Sequence, residues 1–536
     1  MKKLKCIATA SVLLAAMTMG ACASKPLEQH TNPQVVTEVG TYPVIKDEYR
    51  GITLDMMALN HTAISADWSK NEFFKRMENL TGVKFNFDKV YDATTYTEKF
   101  PLAFVDVASM PDVFYKAQIP RASEAKFGAQ GLLIPLENLI DEYAPNLKKI
   151  MEESPNVKRI MTSADGHIYS LPTVHYKGDR YTADGVFWIN QKWCDRLGIE
   201  VSDITTIEKL SEVLTRFKNE DANGNGDAMD EKPMYLAGAY EVTHLFAAFG
   251  MNLLTWNAYV DNGTVKVGAM QENFKPMLEY LNGMYSNGLI NNDYVTLTKN
   301  TVWAEGRSKD SIGVFFDATA DLVAGERAQD FVALPPLNSS VYTGTPFLAG
   351  RYAVDPGAFA ISANCEYPEL AMRWIDTLYD VEYSRWDTVG QEGVEWKWDD
   401  EEHTTWSYLM PTDEIVNNRT VQMGGGLPGV ELTYDDFLSK SSDPTVSHSA
   451  RELAKVSAYI KPGYPPVSFN ETTLRALSST STSLSTYLGT LMAQVIRGEK
   501  NISDSWETVQ NDLKRMGVNH YIKTLQEGYD SFMKNA

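Results

Sequence analysis

Cysteine is scarce in this chain, which has four among its 536 residues. Cys6 and Cys22 lie close to the N-terminus, and Cys194 and Cys365 are far apart in sequence. This spacing provides neither a disulfide framework nor a CxxC metal or redox motif. We therefore predict that Cys194 and Cys365 are free, buried thiols, with a single bridge between them as the alternative.

Histidine is also rare, with eight residues, and the HExxH, GxSxG and Walker A motifs are absent. Those motifs are typical of zinc proteases, serine hydrolases and P-loop NTPases. The 70 Asp and Glu residues leave a glycosidase carboxylate pair open as an alternative, but no spacing singles one out. The sequence therefore predicts a protein that is not an enzyme.

Basic residues are too few to balance the acidic ones, and the formal net charge is −21. Such a surface repels polyanions, so we predict no nucleic-acid partner. Hydrophobic residues make up 43% of the chain, which is typical of a globular protein. Because single cores stop growing at ~250–300 residues, the length predicts two or more domain cores.

Long apolar runs are missing after residue 22, since none reaches the ~18 residues of a membrane-spanning helix. At the N-terminus three lysines precede a short apolar run from Ile7 to Met17, which is the order of an export signal. The next residues, Met19–Cys22 (MGAC), resemble a bacterial lipobox. We predict cleavage before Cys22, a lipid on its thiol, and a mature protein anchored at the extracellular face of the cell membrane. An ordinary secretory signal is the alternative.

Strand and helix patterns alternate along the remaining chain. The sequence predicts strands over Ile52–Leu59 and Val83–Phe87, with an amphipathic helix over Asn71–Leu80 between them. A strand recurs late, at Phe359–Ala363, after a long helical stretch. This order favours an α/β fold of two interleaved lobes, and several crossovers between lobes make a hinge.

Several sequence blocks together resemble a known family. They include NEFFKRMENLTGVKF, MPDVF, DGHIYSLP, WINQKWCDRLGIE and FAISANCEYPELAMRWIDTLY, and they run in family order from about residue 50 to the C-terminus. In these blocks the chain resembles extracellular solute-binding proteins of ABC-type sugar importers, in the large lipoprotein branch of Gram-positive bacteria.

The resemblance implies a two-lobe, type II periplasmic-binding-protein-like fold with a strand hinge. It also implies capture of an oligosaccharide in the cleft between the lobes and delivery to the membrane subunits of a permease. We predict a monomer with this organisation: 1–21 as signal peptide, 22–45 as lipidated flexible tether, 46–180 plus 355–385 as lobe 1, and 181–354 plus 386–536 as lobe 2. The alternatives are a peptide receptor of the same fold, a surface glycoside hydrolase or lyase, and an adhesion or signalling lipoprotein.

The stretch 221–231 (DANGNGDAMDE) alternates oxygen-bearing side chains as an EF-hand loop does at its start. Lys232 stands where an EF-hand has its bidentate Glu. Related binding proteins close such a loop with an Asp-Glu pair. In this chain the pair is Asp230-Glu231, which lies one residue later than expected. We predict a structural Ca²⁺ ion, and no organic cofactor, with the ligands Asp221, Asn223, Asn225, Asp227, Asp230 and Glu231. The alternative is a solvated Asx-rich turn.

Tryptophan is abundant, with eleven residues, and flat aromatic rings stack on the C–H faces of sugars while polar groups bind the hydroxyls. A segment that corresponds to 389–401 lies near the cleft in the family. The predicted ligand contacts are Trp68, Trp256, Trp303, Phe316, Asp317, Glu392, Trp396 and Trp398. For each Trp, a place in the core is the alternative, and we assign Trp193 and Trp374 to the core.

Overall fold

The computed structural model describes residues 29–60, 67–175, 181–253, 258–421, 426–431 and 436–534. Its strands are β1 Thr53–Asn60, β2 Lys84–Asp92, β3 Val113–Tyr115, β4 Leu171–His175, β5 Tyr181–Thr182, β6 Val186–Asn190, β7 Lys232–Met234, β8 Tyr259–Asp261, β9 Thr264–Lys266, β10 Ile312–Asp317, β11 Phe331–Ala333, β12 Leu348–Tyr352, β13 Val354–Ile361, β14 Trp396–Trp398, β15 Trp406–Tyr408, β16 Gly429–Glu431 and β17 Ile460–Pro462.

Helices are more numerous than strands. They are α1 Glu72–Thr81, α2 Ala93–Ala103, α3 Arg121–Ala129, α4 Glu137–Tyr143, α5 Pro145–Glu153, α6 Pro155–Met161, α7 Gln191–Leu197, α8 Ile207–Asn219, α9 Ala239–Thr243, α10 Phe274–Ser286, α11 Lys299–Ser308, α12 Ala320–Ala324, α13 Pro368–Asp376, α14 Val381–Thr388, α15 Thr412–Glu414, α16 Asp436–Ser439, α17 Pro444–Val456, α18 Glu471–Ile496, α19 Ile502–Arg515 and α20 Val518–Lys534. In the described part of the chain, none of them combines the length and the apolar character that a membrane crossing requires.

Lobe 1 is built on a six-stranded sheet in the order β16-β4-β13-β3-β1-β2. All its neighbouring pairs are parallel except those of β13, which runs antiparallel to β3 and β4. Every residue of β3 and β4 is buried, as expected for inner strands covered on both faces. Their side chains share one core with Trp374 and its helix α13.

Lobe 2 contains a four-stranded sheet in the order β11-β6-β10-β7. Helix α8 is an example of how apolar spacing forms the helices of lobe 2. Its apolar residues recur at helical spacing and are all buried: Leu210, Val213, Leu214 and Phe217. The Thr206 hydroxyl accepts from the Lys209 backbone N–H and caps the first turn. These residues pack with α10 and the C-terminal helices in a second, separate core.

The two lobes are interleaved, as predicted. The chain leaves lobe 1 after β4, returns to it at β13, and passes to lobe 2 a second time after β16. A three-stranded sheet in the order β17-β12-β5 lies along these passages, with β5 in the first and β12 in the second. This hinge sheet confirms the predicted two-lobe α/β architecture with a strand hinge.

Residues 29–45, the part of the predicted flexible tether 22–45 that the structure describes, are packed on lobe 1. Residues 22–28 lie outside the described residues. Val35, Val44 and Ile45 lie in the core of lobe 1. Across that contact, the Arg373 guanidinium donates to the backbone carbonyls of Glu38 and Thr41, at 3.3 and 2.9 Å. The apolar side chains of Val35, Val44 and Ile45 explain the difference from the prediction, because packing them on lobe 1 removes their surface from water.

The lobe boundary also differs from the prediction that 386–536 belongs to lobe 2. Trp386, Val421 and Leu427 lie in the core of lobe 1, and β16 forms one edge of the lobe 1 sheet. The chain returns to lobe 2 at α17, which packs beside β11. Cys194 and Cys365 are free and buried, as predicted.

Candidate functional site

Polar side chains gather where the parallel strands of the lobe 1 sheet end. Asn60 ends β1, Lys116 follows β3, and His175 and Glu431 end the paired strands β4 and β16. The Nδ1 atom of His175 lies 3.4 Å from Glu431 Oε2. Ligands of open α/β sheets bind outside the carboxyl ends of the strands, so this edge is the candidate binding surface of lobe 1.

The corresponding edge of the lobe 2 sheet is formed where β10 ends at Asp317. The Trp303 indole N–H donates to the Asp317 carboxylate at 2.8 Å, and Lys299 Nζ lies 3.3 Å from the same oxygen. Phe316 is buried beside them, with Lys299 over its ring. Trp303 is half-buried and held in place by Asp317, so this edge combines an oriented aromatic ring with a carboxylate and an ammonium group.

Two titratable residues on the neighbouring helical segment complete the lobe 2 edge. Glu241 lies 3.2 Å from Lys299 Nζ, and burial raises the pKa of Glu241 to about 7 in spite of this lysine. His244 stacks on Phe316 with ring centroids 4.0 Å apart, and burial lowers its pKa to about 4. The imidazole of His244 is therefore neutral at pH 7. Burial also suppresses the negative charge of the Glu241 carboxylate, which is an acceptor group at this edge.

Arg351 of the hinge strand β12 connects the two edges. Its Nε donates to Asp184 of lobe 2 at 2.5 Å, and its Nη1 donates to Asp355 of lobe 1. On the lobe 1 side His175 Nε2 lies 3.1 Å from Asp355, and on the lobe 2 side the Tyr240 hydroxyl donates to Asp184 at 2.7 Å. The carboxyl edges of the two sheets therefore meet at Arg351, and we call the space between them the cleft.

Two buried titratable residues, Lys116 and Asp387, lie behind the lobe 1 edge. The Lys116 ammonium donates to the Val421 carbonyl at 2.6 Å, and burial lowers the pKa of Lys116 to about 8. Asp387 is fully buried nearby, and burial raises its pKa to about 8. The hydrogen bond from Lys116 to Val421 connects the segment after α15 to the carboxyl end of β3.

The structure brings together three of the eight predicted ligand contacts. Trp303, Phe316 and Asp317 all lie at the lobe 2 edge. Trp68 is only 2% exposed and packs against Phe74, with ring centroids 5.0 Å apart, so it belongs to the lobe 1 core rather than to the cleft. Trp256 lies outside the described residues.

The remaining three predicted contacts lie together in a different place. Trp396 and Trp398 form the strand β14, and Trp396 is buried against Trp406 and Phe437 in a small core of its own. Trp398 stacks on His403 at 4.5 Å, and Glu392 is exposed. This aromatic cluster packs on itself, which explains the density of tryptophan between residues 396 and 406.

Glu395 attaches the aromatic cluster to lobe 1. Its side chain is fully buried and accepts from Arg76 of α1 and, at 2.5 Å, from Arg419. The backbone N–H of Gln391 donates to its other oxygen at 2.7 Å. This triad of one carboxylate and two guanidinium groups was not predicted, because its members are far apart in the sequence.

The predicted calcium loop is closed by hydrogen bonds among its own residues. The Asp221 carboxylate accepts from the Gly226 N–H at 3.0 Å, and the Asn223 and Asn225 amides donate to Asp230 at 2.9 and 2.8 Å. Glu231 accepts from the Ala222 N–H at 3.0 Å. The second oxygens of Asp221 and Glu231 are buried and have no partner among the described residues. The side chain of Asp227 accepts from the Met229 N–H at 3.1 Å.

Residues of the cleft that sequence reasoning missed come from distant segments. His175, Arg351 and Glu431 are brought together only by the pairing of β4, β13 and β16 and by the hinge strand. The available signal was a polar residue at the end of a buried strand, as in LPTVH at 171–175. That signal predicts an edge position but not which other strand ends beside it.

Comparison with known proteins relates this geometry to characterised molecules. No protein-family model matches the chain. The chain is 27% identical over 562 aligned residues to a fructooligosaccharide ABC transporter substrate-binding protein, FusA, of Streptococcus pneumoniae, and the match covers 99% of each chain.

Solved structures agree with this match. The structure of S. pneumoniae FusA in complex with kestose has a TM-score of 0.72 at 26% identity, and the match covers 90% of this chain and 100% of that one. A FusA EF-hand mutant in complex with fructo-nystose has a TM-score of 0.73 at 25% identity, with the same coverage. The similarity thus extends over both lobes and the hinge.

Proposed function

We propose that this chain, which belongs to the extracellular solute-binding proteins of ABC-type sugar importers, captures an oligosaccharide in the cleft and delivers it to the permease of its importer. The observation that carries the proposal is the meeting of two polar sheet edges at Arg351, on a hinge strand shared by both lobes. Rotation about such a hinge brings groups from both lobes onto one ligand. The chain is a binding protein and not an enzyme.

The chemistry of the lobe 2 edge supports a sugar ligand. The indole of Trp303 offers a flat apolar face, while Asp317, Glu241 and Lys299 supply acceptors and a donor for hydroxyl groups. Since the similar FusA is named for fructooligosaccharides, we take a short neutral fructooligosaccharide as the first ligand to test. Neither the peptide receptor nor the glycoside hydrolase alternative is favoured, because the full-length relative is a sugar-transporter binding protein.

Kestose is expected to raise the midpoint of thermal unfolding of the mature chain, because a ligand that binds only the folded state stabilises it by mass action. Scanning fluorimetry with kestose, maltotriose, an oligogalacturonate and a tripeptide measures this effect. Recovery of unchanged kestose after incubation separates binding from hydrolysis. A midpoint that rises with the tripeptide, and with none of the three sugars, would contradict the proposed function.

The proposal includes a structural Ca²⁺ ion in the loop 221–231. Buried carboxylate oxygens without a partner, as on Asp221 and Glu231, are the groups that a hard cation would satisfy. The described residues contain no group of three or more His, Cys, Asp or Glu side chains placed to hold a metal, so the ion would also need the amide oxygens of Asn223 and Asn225. A structure of the similar FusA with an altered EF-hand supports a role for such a loop.

Removal of calcium with EDTA is expected to lower the unfolding midpoint, and added Ca²⁺ to restore it, because the four carboxylates of the loop repel one another without the ion. The double variant Asp221→Asn, Glu231→Gln should unfold at one temperature with or without Ca²⁺. The exposed pair Lys209–Glu212 on α8 offers a control, since Glu212→Gln should keep the full calcium response. Equal midpoints for the wild-type chain in EDTA and in Ca²⁺ would rule out the site.

Anchoring at the extracellular face of the membrane is the remaining part of the proposal. Cys22 lies outside the described residues, so its support is the export signal and the MGAC lipobox in the sequence. Lipidation of Cys22 would keep the receptor close to its permease and raise its effective concentration there. We take the protein to act as a monomer with the permease subunits as its partners.

A further inference from the structure

A groove of about 700 Å³ lies between the lobes, away from the cleft. One wall is α6 and residues 162–166 of lobe 1, and the other is residues 467–473 and the end of α20. The walls touch where the Ala164 N–H donates to the Ser468 hydroxyl at 3.1 Å. Its volume falls within the ~300–1,000 Å³ of sites that bind small molecules.

The groove lies on the opposite face of the hinge strand from the cleft. Arg351 of β12 points to the cleft, and the next residue, Tyr352, contacts Phe532 of the groove with ring centroids 6.0 Å apart. Successive side chains of a strand point to opposite faces, which accounts for the separation. A change of the angle between the lobes therefore alters the cleft and the groove together.

Two cations of the groove, Lys158 and Arg159, have no ion-pair partner within the part of the chain that the structure describes. The guanidinium of Arg159 lies 4.9 Å from the Phe532 ring, and its Nε is buried without a hydrogen-bond partner. Among the described residues, neither Arg159 nor Lys158 forms an ion pair through its side chain. The groove contains one carboxylate, Glu527, which lies 3.9 Å from Lys523 on its own helix. Unpaired cations in a chain of net charge −21 indicate a local site for an anion.

Hydroxyl groups make up most of the other polar lining. The hydroxyl of Ser163, a residue only 5% exposed, is buried and has no partner in the described structure. Side chains of the same kind come from both walls of the groove: Thr162, Ser468, Thr473, Thr524 and Ser531. Buried hydroxyls without partners carry a desolvation cost that a bound polar group would remove.

We propose that this groove is a second binding site, for a small anion that carries hydroxyl groups, such as a sugar acid or a sugar phosphate. Arg159 and Lys158 bind the acidic group through charge-assisted hydrogen bonds, and Ser163 binds a hydroxyl. Helix α20 packs in the lobe 2 core through Val518, Tyr521 and Leu525, while Phe532 at its end packs in the lobe 1 core. The groove therefore lies where the two lobes join, and an occupant favours one angle between them. Its binding is then coupled to binding in the cleft, and by linkage the coupling is reciprocal.

The site is tested on the full mature chain without any cleft ligand, so that its outcome is independent of the proposed transport function. Millimolar glucuronate and glucose 6-phosphate are each expected to raise the unfolding midpoint by about 2 °C, and glucose is expected to leave it unchanged. A response to glucuronate alone identifies a carboxylate ligand, and a response to the phosphate alone identifies a phosphate ligand. No response to either anion, or an equal response to glucose, overturns the proposal.

Two variants locate the response. Arg159→Gln removes the guanidinium, and Ser531→Phe fills the groove from an exposed position without removing a packed side chain. Both are expected to abolish the shift, whereas Lys523→Gln, an exposed cation outside the lining, should retain it. If Arg159→Gln fails to fold, Ser531→Phe decides. A full shift in the folded Ser531→Phe variant overturns the proposal.

Discussion

Glu395→Gln is expected to lower the free energy of unfolding by about 3–5 kcal/mol, the loss typical of a buried ion pair from which one partner is removed. The side chain of Glu395 is fully buried, and those of Arg76 and Arg419 are 11% and 20% exposed. Glutamine keeps the size of the side chain but removes the carboxylate that Arg76 and Arg419 share, and Arg419 then keeps only the half-exposed Glu414, 3.8 Å away. The aromatic cluster would then lose its main polar attachment to α1.

Glu392→Gln is the matched control, because Glu392 lies three residues earlier and is exposed. Urea denaturation of both variants, followed by tryptophan fluorescence, measures the difference. Exposed charges contribute little, so we expect a change below about 0.5 kcal/mol for the control. Equal stabilities of the Glu395→Gln and Glu392→Gln variants would show that the triad does not hold the aromatic cluster to lobe 1.

Trp303→Ala is expected to weaken binding of the cleft sugar about tenfold, equal to about 1.4 kcal/mol. The ring of Trp303 is half-buried and its orientation is set by the hydrogen bond to Asp317. An aromatic ring fixed in this way stacks on a sugar without losing further rotational freedom. Asp317→Ala should act in the same direction, because it frees the indole and also removes one of the two carboxylate partners of Lys299.

Trp398→Ala provides the comparison for this prediction, since the sequence makes Trp398 as good a candidate as Trp303. Trp398 stacks on His403 within the aromatic cluster and not at a sheet edge. Isothermal titration with kestose, or with whichever sugar proves to bind, should give the wild-type affinity for Trp398→Ala. A larger loss for Trp398→Ala than for Trp303→Ala would place the sugar at the aromatic cluster instead of at the lobe 2 edge.

Periodic patterns allowed the elements to be predicted with good accuracy. The helix predicted over Asn71–Leu80 is α1, Glu72–Thr81, and the strand predicted over Ile52–Leu59 is β1, Thr53–Asn60. Both are local consequences of apolar spacing, which the sequence displays directly. The membership of β16 in the lobe 1 sheet is different, because its pairing with β4 joins residues more than 250 positions apart.

The candidate site was predicted only in part, for a related reason. Asp317 and Phe316 end a buried strand, so their place at a sheet edge follows from the sequence. Trp68 also follows a strand, yet its ring turns into the core against Phe74. Strand ends indicate where an edge is, but the direction of an aromatic side chain depends on tertiary neighbours that spacing does not contain. Arg351, Asp184 and Asp355 could not be grouped at all without the hinge.

The hinge sheet has a consequence for the length of the sugars that can be bound. Strand β12 is bonded along its first half to β17 and along its second half to β5. Its two halves are thus held in one hydrogen-bonded ribbon, and we expect the lobes to close by bending at this sheet. Under such a hinge motion a longer oligomer would extend beyond the ends of the cleft. We then expect the receptor to select sugars by their cross-section and to accept a series of chain lengths.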